Sequence, residues 1–170
     1  RYEAFKQWTK DHDLVWAGIG LDIEPDYHEM EALSEKNYRV LGKMMRRLKD
    51  KTAYQEAELA YIGLSDQIRR DGWPVEAYHA PLIIDDRQAR SSTIQRGLGL
   101  IDVQADRVVL MLYSSFLRPH GHQVLKSYLR DTDSVGIGST GGGVQIAGEP
   151  DALNWEEFSY DLRLAWREGK

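Results

Sequence analysis

The sequence contains no cysteine, so disulfide frameworks and thiolate metal sites are excluded, and the composition favours no particular compartment. No apolar run approaches the roughly 20 residues that a membrane-spanning helix needs, and the first ten residues have no apolar signal-peptide core. A basic stripe is also missing, since the formal net charge is −5 and acidic residues are spread along the chain. We therefore predict neither a membrane span nor a nucleic-acid partner.

The residues that are present suffice for one packed domain. The chain has 170 residues, of which 42% are hydrophobic and 10% aromatic. Apolar runs typical of buried strands occur at 14–23, 75–84, 107–113 and 134–138, and segments with helical periodicity separate them. Such alternation predicts parallel βα units, and so an α/β fold.

Helix starts are marked by three candidate capping boxes, in which a short polar residue is followed three positions later by Glu or Gln. These occur at residues 26–29, 52–55 and 154–157. The last of them precedes an apolar stripe that includes Trp155, Phe158 and Leu162. We therefore expect a long amphipathic helix near the end of the sequence.

About four parallel strands can form an open sheet but cannot close a barrel of eight. Residues 1–170 are therefore either an open α/β domain or a single-domain segment of a larger (β/α)8 barrel, and the motifs described next favour the barrel segment. In that case, further strands are expected before Arg1 and after Lys170. Self-association of two copies is one way to cover the open edges of a partial barrel.

Two carboxylates, Asp22 and Glu24, end the first predicted strand, within the segment WAGIGLDIEP at residues 16–25. Because they are two residues apart on a strand, their side chains are expected on the same face. Like charges this close favour retention of a proton by one of them, as a general acid near neutral pH requires. We predict Glu24 as the general acid and Asp22 as its assistant; alternatively, both residues begin a polar loop.

The segment GLDIE at residues 20–24 resembles the end of the fourth strand of family 18 glycoside hydrolases, the chitinase-like (β/α)8 barrels. That strand carries three aspartates and a glutamate, of which Asp22 and Glu24 match the last two. Ala17 and Gly20 occupy the positions of the first two aspartates.

A second segment, MLY at residues 111–113, resembles the Met-x-Tyr motif on the sixth strand of the same family. There the tyrosine is followed by Asp or Asn, whereas this chain has Ser114. The order of the two motifs agrees with the family, since one predicted strand lies between them.

This resemblance implies a glycoside hydrolase that acts on a polysaccharide or oligosaccharide, and hence a carbohydrate partner. Glu24 would protonate the leaving group, Asp22 would hold the 2-substituent of the reacting sugar, and Tyr113 would hydrogen-bond near the anomeric centre. We predict no metal and no cofactor.

Tyr78 and His79, on the next predicted strand, are further candidates for substrate binding. Tyrosine rings can cover the apolar faces of sugars. Histidine could contact the substrate or, with Asp22 and Glu24, a divalent ion, although a packed, hydrogen-bonded histidine is the commoner arrangement.

Two other functions are open at this point. The loop at 138–143 has the glycines and exposed backbone N–H groups that can cradle a phosphate, so a barrel for a phosphorylated ligand is one alternative. The other is a carbohydrate-binding barrel without catalytic activity, which the departures at Ala17, Gly20 and Ser114 suggest.

Overall fold

The computed structural model describes residues 1–34, 38–139 and 152–170, and in these ranges the chain forms a parallel sheet flanked by helices. The four strands are β1 (Ile19–Asp22), β2 (Val75–His79), β3 (Arg107–Leu112) and β4 (Ser134–Ile137). Their order in the sheet is their order in the chain, and all three pairings are parallel. The predicted α/β class with parallel βα units is confirmed at this level.

Helices occupy most of the remaining described chain. They are α1 (Tyr2–Asp11), α2 (Tyr27–Ser34), α3 (Arg39–Lys49), α4 (Thr52–Arg70), α5 (Leu82–Gln88), α6 (Thr93–Leu98), α7 (Gly121–Tyr128) and α8 (Trp155–Arg167). Short 3-10 turns follow β3 at Ser114–Leu117 and α7 at Leu129–Asp131. Among the helices of the described ranges, none combines the length and apolar character needed to cross a bilayer.

Both hydrophobic core clusters lie on the same face of the sheet. One cluster packs α5, α7 and α8 against Leu110 and Leu112 of β3. The other packs α4 and the residues before β3 against Ala77 of β2 and Ile23, directly after β1. Side chains alternate along a strand, so this burial fixes which residues of every strand point toward the helices. We call this side the helix face.

The opposite side, which we call the open face, carries the alternate residues of each strand. The register of the pairings places these residues side by side across the sheet: Gly20 and Asp22 of β1, Glu76 and Tyr78 of β2, Val109 and Met111 of β3, and Gly136 of β4. None of these residues belongs to either core cluster. The open face is therefore the surface of the sheet that is available to polar groups.

Two aspartates at the amino-terminal edge fix the register of neighbouring strands. Asp106, just before β3, accepts a hydrogen bond from the N–H of Val75, the first residue of β2 (2.8 Å). Asp133, just before β4, does the same for the N–H of Val108 in β3 (2.9 Å). The hydrogen bond from Val75, followed by those from Arg69, lowers the pKa of Asp106. Asp106, in the connection between β2 and β3, thus binds β2, and Asp133, in the connection between β3 and β4, binds β3.

The second strand is shorter than the sequence pattern predicts. The apolar run 75–84 was expected to be one strand, but β2 ends at His79 and α5 begins at Leu82. Pro81 is the residue at the amino-terminal cap of α5. Ile83 and Ile84 are buried as part of that helix. A proline favours this change because its fixed φ suits the start of a helix and it has no N–H for a strand ladder.

The contact between α7 and the end of β3 gives a test of the packing. Gly121 begins α7, and a Cβ at this position would collide with the carbonyl oxygen of Ser114. We expect Gly121→Ala to lower the free energy of unfolding by about 1–3 kcal/mol, because backbone must shift to admit the methyl group. Chemical denaturation would measure the change.

The matched control is Gly63→Ala in α4, where no atom beyond the adjoining residues and the backbone of the same helix lies within 4 Å of the added Cβ. This substitution should stabilise the protein by roughly 0.8–1 kcal/mol, since alanine is the better helix former. Equal effects of the two substitutions would contradict the tight contact at Gly121.

Candidate functional site

The two predicted acidic residues lie together at the carboxyl-terminal end of β1. Asp22 is the last residue of the strand, on the open face. Ile23 is 5% exposed and points into the core on the helix face. Asp22 and Glu24 are both exposed, and both line one cavity. The alternation expected from the sequence places Asp22 on the open face, whereas Glu24 lies two residues beyond the end of β1.

Their environment raises the pKa of both carboxyl groups above the ordinary values. Loss of surrounding water raises the pKa of Asp22. The pKa of Glu24 is raised by loss of water first and by the negative charge of Asp22 second. A carboxyl group with a raised pKa beside an ionised one is the arrangement that proton donation requires.

Tyr78 lies next to the acid pair on the open face. It is aligned with Asp22 in the β1–β2 register, and its hydroxyl donates to Oε2 of Glu76 (2.7 Å). A Cβ added at Gly20 would lie only 2.8 Å from Cε2 of Tyr78. The tyrosine ring therefore occupies the space in which a side chain at position 20 would lie.

Tyr113 makes the corresponding contact from the other side. It follows β3 directly, and its Cε1 would be 3.7 Å from a Cβ added at Gly136 of β4. Burial raises the pKa of Tyr113, and the charges of Glu24 and Asp22 raise it further. The negative charges of Glu24 and Asp22 thus act on Tyr113 from a different strand of the sheet.

The arrangement offers acid–base chemistry on an aromatic surface. A protonated carboxyl group can donate a proton, a neighbouring carboxylate can orient it, and phenol rings can cover the apolar face of a sugar. In the part of the chain that the structure describes, no three His, Asp or Glu side chains are grouped so as to hold a metal ion.

His79 does not join this site. It is the neighbour of Tyr78 on β2, so its side chain points to the helix face, where it is fully buried. Its Nε2 lies 3.4 Å from the carbonyl oxygen of Val103 and 3.7 Å from Oδ1 of Asp102. This corrects the expectation that His79 contacts the substrate and agrees with the alternative of a packed histidine, because the alternation that turns Tyr78 to the open face buries His79.

Ser114, at the position after the Met-x-Tyr segment, is also turned inward. Its hydroxyl donates to Oδ2 of Asp161 on α8, and Nδ1 of His122 donates to Oδ1 of the same carboxylate (2.6 Å). Asp161 is fully buried. A serine nucleophile needs the imidazole itself as its base, whereas this serine binds the carboxylate. The trio therefore anchors α8 to the end of β3.

The glycine loop that was considered as a phosphate cradle lies mostly outside the described residues. Only Gly138 and Ser139 of the segment 138–143 are described. The N–H of Ser139 donates to Oγ of Ser115 (3.1 Å), so it is already used within the protein. This part of the loop adds no support for an anion site.

A cavity of ≈ 470 Å³ lies beside the acid pair, between the end of β1 and helices α3, α4 and α6. Asp22 and Glu24 form one wall, and Arg46 and Arg96 contribute to the others. The sequence analysis did not single out either arginine. Both lie in helical segments, and only the packing of α3 against α6 brings them to the same cavity.

Comparison of the chain with protein-family models, with curated proteins and with solved structures gave no match. The geometry of the open face is accordingly the basis for assigning a function.

The raised pKa values of the acid pair predict a stability change. The folded state holds these protons more tightly than the unfolded state, so the free energy of unfolding falls as the pH rises through the interval between the two pKa values. We expect Asp22→Asn and Glu24→Gln to raise the Tm at pH 7. The gain should shrink as the pH falls through the unfolded-state pKa values of about 4 and be small near about pH 3, where the carboxyl groups are mostly protonated in both states.

Thermal unfolding from pH 3 to 8 would measure this difference. Glu56→Gln, an exposed substitution on α4, is the matched control and should leave the Tm nearly unchanged. A Tm that falls on substitution of Glu24 at pH 7 would argue against the unfavourable environment of the carboxylate.

His79 predicts a pH dependence of opposite sign. Burial lowers its pKa, so the folded state resists its protonation. The stability associated with neutral His79 is complete above the unfolded-state pKa of about 6.5 and is lost as the pH falls toward the folded-state value. Urea denaturation between pH 7.5 and 5 should show this loss in the wild type and a smaller loss in His79→Gln.

The exposed His120 supplies the control for this measurement. His120→Gln should retain the pH slope of the wild type. If His79→Gln also retained the full slope, the buried histidine would not be its source.

Proposed function

We propose that the chain is part of a (β/α)8 barrel of glycoside-hydrolase type that acts on a polysaccharide or oligosaccharide. Glu24 is the general acid, Asp22 assists it, and Tyr113 and Tyr78 bind the sugar. The observation that supports the proposal is the position of Asp22 on the open face, at the carboxyl-terminal edge of a parallel sheet, with Glu24 two residues further on and the pKa values of both carboxyl groups raised. Barrel enzymes place their active sites at this edge.

The one-sided sheet supports the barrel part of the proposal. Helices cover one face, as they cover the outside of a (β/α)8 barrel, and the open face corresponds to its interior. In the described residues, β1 and β4 each pair with a single strand. Each therefore has an edge to which a further parallel strand could be added.

The departures from the family 18 pattern have a local structural explanation. Gly20 stands at the second aspartate position, and the ring of Tyr78 fills the space beside it. Ser114 stands at the position of Asp or Asn, and its hydroxyl is bound to Asp161. The proposed site therefore works with two carboxylates and two tyrosines, which favours a different sugar from the N-acetyl substrates of the family.

The proposal is tested by assaying the full-length protein on a panel of chromogenic glycosides and oligosaccharides. Glu24→Gln should lower kcat on substrates with poor leaving groups by about 10²–10⁴-fold, the usual contribution of a general acid. On dinitrophenyl glycosides, whose leaving group needs no proton, the loss should be much smaller. Glu56→Gln should retain wild-type rates on both.

The stability prediction separates loss of chemistry from loss of fold, because Glu24→Gln is expected to be at least as stable as the wild type at pH 7. Equal turnover by the wild type and Glu24→Gln would remove Glu24 as the acid. Sugar binding by the wild type without any turnover would favour the carbohydrate-binding alternative.

A further inference from the structure

Helix α8 carries a line of apolar side chains that the described part of the chain leaves exposed. Trp155 is 74% exposed, Leu162 42% and Trp166 82%. With Ser159 they follow one another at steps of four, three and four residues, which places all four along one side of the helix. We call these four residues the α8 seam. We propose that it binds the same seam of a second copy of this chain, with the two helices antiparallel about a two-fold axis.

The seam lies on the far side of the sheet from the candidate site. Asp161 and Ala165 of α8 are buried, and Ala165 packs into the core on the helix face. The α8 seam is turned roughly a third of a turn around the helix from these two residues. Asp22 lies on the open face, so a contact through the seam leaves the acid pair uncovered. The inference therefore goes beyond the proposed function and does not depend on it.

The composition of the seam suits a contact between proteins. Tryptophan is enriched at protein interfaces, and contiguous exposed apolar surface marks such sites. An antiparallel pair of α8 helices brings Trp155 opposite Trp166 of the second copy, and Ser159 opposite its Leu162. The hydroxyl of Ser159 donates to the carbonyl oxygen of Glu156 (3.0 Å), so the contact can bury this small side chain without loss of its hydrogen bond.

A groove of ≈ 480 Å³ runs beside the seam, between α8 and β4. Its apolar walls include Leu162 and Trp166 of α8 and Val135 and Ile137 of β4. In the antiparallel arrangement, Trp155 of the second copy lies opposite Trp166, and its indole ring can pack into this groove. Because a two-fold axis relates the copies, each groove receives the tryptophan of the other copy.

Two charges beside the seam distinguish the antiparallel arrangement from a parallel one. Glu156 follows Trp155, Arg163 follows Leu162, and both charged side chains are exposed. In an antiparallel pair, Glu156 of each copy lies near Arg163 of the other, which gives two ion pairs across the contact. A parallel pair offers Arg163 no acidic partner, since it places Phe158 of the second copy opposite this arginine.

Neither charge is used within the described part of the chain. Glu156 and Arg163 are about 10.5 Å apart along the helix axis, too far to pair with each other. The ion pairs of α8 in the described ranges are instead those of Glu157 with Arg118, Asp161 with His122 and Glu168 with Arg130. Both charges are therefore available to a second copy.

Sedimentation velocity of the full-length protein tests the inference. We expect a monomer–dimer equilibrium with a Kd on the order of 1–100 μM, because a contact between single helices lies at the small end of specific interfaces. Trp166→Ala should raise this Kd about 10- to 100-fold, as loss of an interface tryptophan does. The matched control, Leu59→Ala, removes a side chain that is 67% exposed on α4, and it should leave the Kd unchanged.

Charge reversal tests the orientation of the two helices. Glu156→Arg and Arg163→Glu should each raise the Kd about 10-fold, since the two-fold axis repeats the change and makes both ion pairs repulsive. The double variant exchanges the charges and restores both pairs, so its Kd should return close to the wild-type value. Both positions are exposed, and the Tm of each variant should stay near that of the wild type, which separates loss of association from loss of fold.

A dimer that is weakened by Trp166→Ala and by each charge reversal, and that recovers in the double variant, would support the inference. A wild type that stays monomeric throughout the concentration range, or a dimer whose Kd none of these substitutions changes, would overturn it. Failure of the double variant to recover from the single reversals would also overturn it, because the antiparallel arrangement requires that Glu156 and Arg163 meet across the contact.

Discussion

Burial of one face of the parallel sheet determines where every polar group of the candidate site lies. The helices remove the side chains of Ala77, Leu110 and Leu112 from water, and the strict alternation of a strand then turns their neighbours to the opposite side. Asp22 and Tyr78 need no further device to meet, since the register aligns them. The acid pair is a consequence of packing on the other side of the sheet.

The sequence predicts the parts of the fold that local chemistry controls. The capping box of Asn154 and Glu157 is present and begins α8. At Thr52 the same pattern fails: Lys51 is the cap residue of α4, and Asp50 accepts the hydrogen bond from the N–H of Thr52 instead. A helix can therefore begin one residue away from the position that its sequence pattern indicates, and a single sequence does not reveal which side chain will accept the hydrogen bond at its first turn.

The sequence predicts the candidate site only where the two-residue alternation of a strand is enough to place a side chain on one face of the sheet. Alternation was sufficient for the position of Asp22 on β1, and it also implies that Tyr78 and His79 cannot face the same side of the sheet, although it does not say which of the two is buried. In the structure Tyr78 takes the open face, where Gly20 of the neighbouring strand has no side chain in the space that the tyrosine ring occupies. Contacts of this kind are formed between segments distant in the chain and have no local signature.

The aspartates that precede β3 and β4 have a consequence for how this protein can change over evolutionary time. Asp106 and Asp133 hold the strands at the edge remote from the carboxyl pair. Strand alignment is thereby fixed at the edge opposite the loops that follow the strands. Substitutions and insertions in those loops are therefore expected to leave the alignment of the strands unchanged, so that the loops can diverge at little cost in folding.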